Sequence, residues 1–377
     1  MMTTDYLPFT RPTLDEETIQ GVVEVLRSGW LASGPNVQKF ETGLSDYLGG
    51  RPVRSLTSAT GGLEVALQVC GIGPGDEVIT PAMSFTATPN VIMRVGAKPV
   101  FVDVDLDSRN INLAQAEAAI TPKTKALMPV HFSGLPVDMD ALYDLAKRHN
   151  LRVIEDAAHA IGSAWKGQKI GSFGDIVSFS FHPNKNMTTI EGGVLSFADD
   201  SELALFDKLR FHGISRDAEG NMDVSVAGGK YNLSDVAARV GVGQLPHIDA
   251  FNAKRRQLVA RYFEQMDTDP AFLLPAKGDE GHSWHMFAPL LPLDRLKISR
   301  KEFIQKMHER NIGVGIHYPA LHLFSLYRGL GHKEGDFPNA ERIGRETVTL
   351  PLFPAMTEAD VDRVCAAIKE IFQEAKR

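Results

Sequence analysis

Between residues 53 and 155 the chain alternates short apolar runs, each ended by turn residues, with stretches whose apolar positions recur at helical spacing. The runs predict strands near Val53–Leu56, Glu77–Thr80, Pro99–Val102, Ala126–Val130 and Arg152–Glu155, with helices between them. This alternation predicts an α/β layer architecture around a mostly parallel sheet, because parallel neighbours need crossover connections and helices supply them. In such a sheet, ligands bind beyond the carboxyl ends of the strands.

The flanks read differently. Thr13 and Glu16 stand at capping-box spacing, and Ile19, Val22, Val23 and Leu26 then recur at helical period, which predicts an amphipathic helix followed by a turn at Gly34-Pro35. Ser215 to Lys230 is polar and holds three glycines, and it reads as a mobile loop. Helical patterns return from Ala250 to Gln265 and from Glu358 to about Ala375. We place a domain boundary near Leu245, giving a large domain over 1–245 and a smaller α+β domain over 246–377.

Composition narrows the picture. At 377 residues the chain can bury a large core, and 43% apolar and 23% charged residues with a net charge of −7 exclude a typical nucleic-acid binder. Met1 to Phe9 lack the features of a leader, and no apolar run reaches the roughly 18 residues of a membrane span, so a cytoplasmic protein without a membrane partner is expected. Cys70 and Cys365 are far apart in sequence, each in apolar surroundings, and read as buried structural thiols. His282 with His285 and His317 with His322 lack a third ligand at persuasive spacing, so no metal is expected.

Three segments carry chemistry. Arg152 to Asp156 delivers a carboxylate at the end of a buried strand, although a lone Asp there is more often the cap of a following helix, here over Ala157 and Ala158. Ser178 to Asn186 is a strand that breaks at Pro183 into a turn bearing Lys185, with Glu191-Gly192-Gly193 suiting a tight return. A lysine on a turn is ordinarily a surface residue; between apolar strands it could be desolvated into a nucleophile. Thr57 to Gly62 places hydroxyls and bare amides where a helix begins, which by itself is more often an ordinary cap than an anion site.

Together with LPFTRP, SGWLASGP, GDEVITP, EDAAHAIGS, SFSFHPNKN, KYNLSD, GIHYPALH and LPLFP, these segments resemble the DegT/DnrJ/EryC1/StrS nucleotide-sugar aminotransferases over nearly the whole chain. The words look closest to the enzymes that form UDP-4-amino-4-deoxy-L-arabinose. The chain departs from those relatives at Phe85, where they carry Trp, and at Thr189-Ile190, where they carry Cys-Ala.

The resemblance implies a fold-type I transferase dependent on pyridoxal 5'-phosphate (PLP). Lys185 would carry the cofactor and move protons, and Asp156 would pair with its ring nitrogen. Phe85 and His159 would flank the ring, and Ala59, Thr60 and Ser180 would hold the phosphate. Asn232 would reach the cofactor of a neighbouring subunit, which implies a homodimer with shared sites. His317 and Tyr318 would help close the substrate pocket. The implied reaction is a ping-pong transfer from an amino acid, L-glutamate, to a keto group, at C4 by preference, of a nucleotide-linked sugar in cell-surface polysaccharide or lipopolysaccharide precursor synthesis.

Three rival readings accompany it. One is an aminotransferase for a C3-keto, a 4-keto-6-deoxy or an N-acetyl hexose. Another is a PLP-dependent sugar dehydratase, in which histidine replaces the lysine; Lys185 points away from it. The third is a non-catalytic PLP-binding regulator, for which the chain lacks a basic appended domain.

Overall fold

A computed structural model of the chain describes residues 6–266 and 273–375, so Met1–Asp5 of the leader reading lie outside the described residues. The strands are β1 (Val53–Leu56), β2 (Glu77–Pro81), β3 (Lys98–Val102), β4 (Thr124–Leu127), β5 (Arg152–Asp156), a short pair β6 (Ala164–Trp165) and β7 (Gln168–Lys169), β8 (Ile176–Ser180), β9 (Gly193–Ser196), β10 (Ile214–Arg216) and β11 (Met222–Val224). Helices α1 (Glu16–Ser28) and α2 (Pro35–Tyr47) open the chain, followed by α3 (Ala59–Val69), α4 (Ala87–Arg94), α5 (Leu113–Ala118), α6 (Met139–His149), α7 (Leu203–Arg210) and α8 (Asp235–Gln244). The C-terminal part contains α9 (Ile248–Met266), α10 (Arg300–Glu309), α11 (Ser325–Arg328), α12 (Pro338–Glu346) and α13 (Glu358–Ala375).

Seven strands form one mixed sheet in the order β1-β9-β8-β5-β4-β2-β3. β3, β2, β4, β5 and β8 pair in parallel, while β9 runs antiparallel to both its neighbours, β8 and β1. Alternate residues feed two apolar layers, as strand pleating requires. Ile79, Val153 and Val177 pack with α2, α6 and α8 on one face, and Val78, Ile154 and Ile176 with α3, α4 and α7 on the other. A third cluster joins α9, α10 and α13 around Phe287 and Phe303, and it includes Leu7, which bridges to Ile312. Truncating a fully buried phenylalanine such as Phe303 to alanine costs about 3–5 kcal/mol.

The free border of β1 is closed by side chains. One oxygen of Glu41 accepts both the N–H and the hydroxyl of Ser55 at 2.8 Å, and Arg210, paired with Glu41, donates to the Ser55 carbonyl at 3.0 Å. Gly193, opposite Leu56 on β1, is required for another reason: a Cβ there would lie 2.3 Å from the amide nitrogen of Ala59, so only glycine lets β9 pass the start of α3.

Several expectations need correction. The N-cap of α1 is Asp15, whose side chain accepts from Thr18 N–H at 2.8 Å, rather than Thr13. The buried face of α1 is Thr18, Gly21 and Val25, toward α8, while Ile19 and Leu26 are exposed. The tight packing decides this: a Cβ on Gly21 would strike Arg239 of α8. Gly34 and Pro35 begin α2, with proline at the first helical position where its missing N–H costs nothing. Ser215 to Lys230 includes most of the β10–β11 hairpin, which begins at Ile214. No helix follows Asp156; Ala157 to Gly162 form turns. The left-handed residue of the return before β9 is Ile190, not a glycine.

Cys365 is buried and Cys70 half-buried, and burial pushes both thiols up to about 12. No described helix is long and apolar enough to cross a membrane.

Candidate active site

A cavity of about 310 Å³ opens at the carboxyl ends of β5 and β8, a volume at the lower end of the usual range for small-molecule sites. It brings together Ala59, Thr60, Phe85, Asp156, His159, Ser180, Lys185, His317 and Tyr318. A larger hollow, about 600 Å³, lies along α2, β1 and α7, but its Arg54–Asp207 and Arg210–Glu41 ion pairs already satisfy one another, so size does not locate the chemistry.

Lys185 stands on the turn after β8, closed by its own N–H donating to the His182 carbonyl at 2.9 Å. Removal from water pushes its amine down to about 8, and the charge of Asp156 offsets only part of that. An amine near 8 has an appreciable neutral fraction at physiological pH, which a nucleophile requires.

Asp156 ends β5 and is buried. Its backbone is fixed on the neighbouring chain: its N–H donates to Pro129 at 2.9 Å and its carbonyl accepts from His131 at 3.1 Å. Its Oδ2 accepts the Thr88 hydroxyl at 2.8 Å and Oδ1 the Ala158 N–H at 3.1 Å. Burial raises its pKa, while these donors and the charge of Lys185 hold it back, so a buried carboxylate is poised to receive a cationic partner.

Opposite, α3 begins at the cavity wall. Its first N–H groups have no intrahelical partners. Ser58 caps Gly61 N–H at 3.1 Å, and Ala59 and Thr60 line the cavity together with Ser180. A helix start with adjacent hydroxyls favours a phosphate.

His159 lies in the turn after β5, not on a helix surface. It is buried, and the loss of water together with the positive charge of Lys185 keeps its ring well below the usual histidine range. Its Nε2 is 3.3 Å from the Tyr318 hydroxyl. Tyr318 lies 5.9 Å, ring to ring, from Phe85, which is 56% exposed and so open to a flat ligand. His317 bonds through Nδ1 to Thr349 at 2.7 Å, and burial lowers it to about 4.

A model of the DegT/DnrJ/EryC1/StrS aminotransferase family matches residues 12–369. The chain belongs to this family. It is similar to the uncharacterized protein MJ1066 of Methanocaldococcus jannaschii, 42% identical over 99% of this chain and 100% of that one. The spore coat polysaccharide biosynthesis protein SpsC of Bacillus subtilis is 40% identical over 98% of both. Among solved structures, the putative sugar aminotransferase Spr1654 from Streptococcus pneumoniae in its PMP-form superposes with a TM-score of 0.93 at 33% identity, covering 98% of this chain and 99% of that one.

As a DegT/DnrJ/EryC1/StrS aminotransferase, the chain is a fold-type I enzyme and its cofactor is PLP. The residues present fit that group. A desolvated amine, a buried carboxylate and an anion-accepting helix start share one cavity, matching the aldehyde, ring nitrogen and phosphate of PLP.

Asn232 is outside this cavity in its own chain. It bridges to Leu56, donates through Nδ2 to the Ser33 hydroxyl at 2.7 Å, and accepts from Lys230. The sequence reading missed Thr88, Ser84 and Ser133, which hold Asp156 and His159. The hydroxyl-rich run from Ser84 to Thr88, just after β2, was the available signal for two of them. Among the described residues no group of three or more His, Cys, Asp or Glu side chains is placed to hold a metal; His282 stacks on Trp284, and His322 pairs with Glu341.

Proposed function

We propose that this enzyme transfers the amino group of L-glutamate to a C4 keto group on a nucleotide-linked sugar, in the cytoplasm, for cell-surface polysaccharide precursors. The observation that carries the reading is the joint presence of the lowered Lys185 amine and the buried Asp156 carboxylate in one cavity. A sugar as acceptor is supported by the description of Spr1654 as a putative sugar aminotransferase, and a polysaccharide destination by the name of SpsC. The C4 position and the nucleotide link rest on the resemblance in sequence words.

PLP, when bound, supplies an electron sink and a store for the amino group between donor and acceptor. Lys185 would hold it through Nζ, and the same Nζ would hold and move the proton that the exchange requires. The Asp156 carboxylate keeps a proton on the ring nitrogen. Ala59 through its N–H, with the hydroxyls of Thr60 and Ser180, holds the phosphate, and Phe85 and His159 flank the ring. His317 and Tyr318 close the pocket over the substrate. Asn232 reaches the phosphate in the partner of a homodimer, a role supported by its position outside its own cavity.

The test is a panel of UDP-, GDP- and dTDP-linked 4-keto and 3-keto sugars, each offered with L-glutamate. Release of 2-oxoglutarate with a 4-keto sugar is the expected result. Turnover confined to 3-keto sugars would remove the C4 assignment, and no turnover with any of them the sugar assignment.

A further inference from the structure

Behind the cavity wall, a run of buried amide and imidazole groups joins α9 to the turn that carries Lys185. On α9, Nδ2 of Asn252 donates to the Ile161 carbonyl at 3.0 Å, which leaves Oδ1 as its acceptor. Nδ2 of Asn186 donates to that oxygen at 2.7 Å and to the Ser283 carbonyl at 3.0 Å. With both amides oriented, Oδ1 of Asn186 can only accept, so Nδ1 of His285, at 3.1 Å, carries the hydrogen.

Asn186, Asn252 and His285 are all buried. The backbone of His285 is pinned on both sides: its N–H donates to the Ser133 carbonyl at 2.8 Å, and Arg255 donates to its carbonyl at 3.1 Å. The His285 ring stacks on His159, centroids 4.5 Å apart and 25° from coplanar. His159 in turn accepts the Ser133 N–H at Nδ1 and faces Tyr318 with Nε2. The residue next to Lys185 and the imidazole on the cavity wall therefore lean on the same side chain.

We propose that His285 is a positioning residue for amino transfer, its Nδ1–H bond to Asn186 setting the turn that holds Lys185 while its ring fixes the face of His159. This rests on Lys185 being the amine that carries PLP. A merely space-filling histidine would need only its bulk; the positioning role needs the hydrogen on Nδ1.

Two substitutions separate bulk from bond. His285→Phe keeps an aromatic ring and leaves Asn186 Oδ1 buried without a donor. His285→Asn gives up the ring but returns an N–H near the place of Nδ1. Full-length enzyme is depleted of cofactor and reloaded with PLP, and the covalent link is trapped with borohydride over time and mapped to its peptide. Capture on Lys185 is expected to slow about tenfold in His285→Phe and to return to within about threefold of the parent in His285→Asn.

Parent-like capture by His285→Phe would overturn the proposal, and so would His285→Asn as slow as His285→Phe. If the parent enzyme itself traps PLP elsewhere than Lys185, it is the underlying reading that fails. Should the variants not fold, nitrogen-15 spectra of the histidines in the parent enzyme decide: a hydrogen on Nδ1 of His285 supports the proposal, and one on Nε2 alone overturns it.

Discussion

The Thr88 hydroxyl donates to Oδ2 of Asp156 at 2.8 Å, and because its one hydrogen is committed there, the Ser84 hydroxyl, also 2.8 Å from Thr88, is the donor of their shared bond. The two hydroxyls thus form a buried relay that favours the ionised carboxylate against burial. Thr88→Val keeps the shape and removes the donor. A hydrogen bond to a charged group contributes about 1.5–3 kcal/mol, so the acid limb of the kcat/KM profile should move up by about one to two pH units. The sign is fixed: losing a donor to the carboxylate raises its pKa, so activity disappears at a higher pH than before. An unmoved limb would dissociate Asp156 from catalysis.

Lys185→Ala should abolish transamination and eliminate the borohydride-trapped link while leaving PLP able to bind without it. Retained turnover would overturn the role of Lys185. In the parent enzyme, the rate of covalent capture should rise with pH through about 8 and level off above it, because the neutral amine reacts and its pKa stands there. A rate still climbing at pH 10 would mean an amine in free water.

Burial of the Lys185 amine has a cost to stability before the cofactor arrives. Its pKa falls from 10.5 unfolded to about 8 folded, so the folded chain holds fewer protons between those values and gains stability as pH rises across them. Lys185→Met should stabilise the cofactor-free chain by about 1–3 kcal/mol below pH 8, allowing for partial exposure, with the gain vanishing above about pH 10.5. Urea melts at pH 7 and pH 10.5 give the comparison.

The sequence was most legible where burial is two-sided. Arg152–Asp156 announces a strand through its β-branched Val153 and Ile154, and Asp156 stands out as a charged group at the end of that run, as Lys185 does in the turn that follows the run Ile176–Phe181. It was least legible where distant segments decide the outcome. The stripe Ile19–Leu26 looks like a core face, yet Thr18, Gly21 and Val25 fit against α8 while Ile19 and Leu26 stay outside. His285 looked like half of a metal pair with His282, and only the fold shows it stacked on His159 beside Asn186. Ser133 has no local pattern at all, and the hydroxyl run that holds Thr88 does not name its partner, because the groups they hold lie 26 and 68 positions away.

Subunit mixing tests whether sites are shared. Lys185→Ala and Asn232→Asp chains should each be nearly inactive alone, the second because a carboxylate facing a phosphate repels it. Co-expressed, they form mixed dimers in which one site has an intact lysine from one chain and an intact asparagine from the other. About a quarter of parental activity should return if chains pair at random. No recovery would place Asn232 outside the partner's site.

The stopper that Glu41 and Arg210 form on Ser55 reaches beyond this subunit. A strand whose outward N–H and C=O are already spoken for cannot be lengthened into a continuous ribbon by a second molecule. Any contact that another molecule makes along this border must then be written in side chains, where single substitutions can rewrite it, instead of in the backbone, which all sequences share.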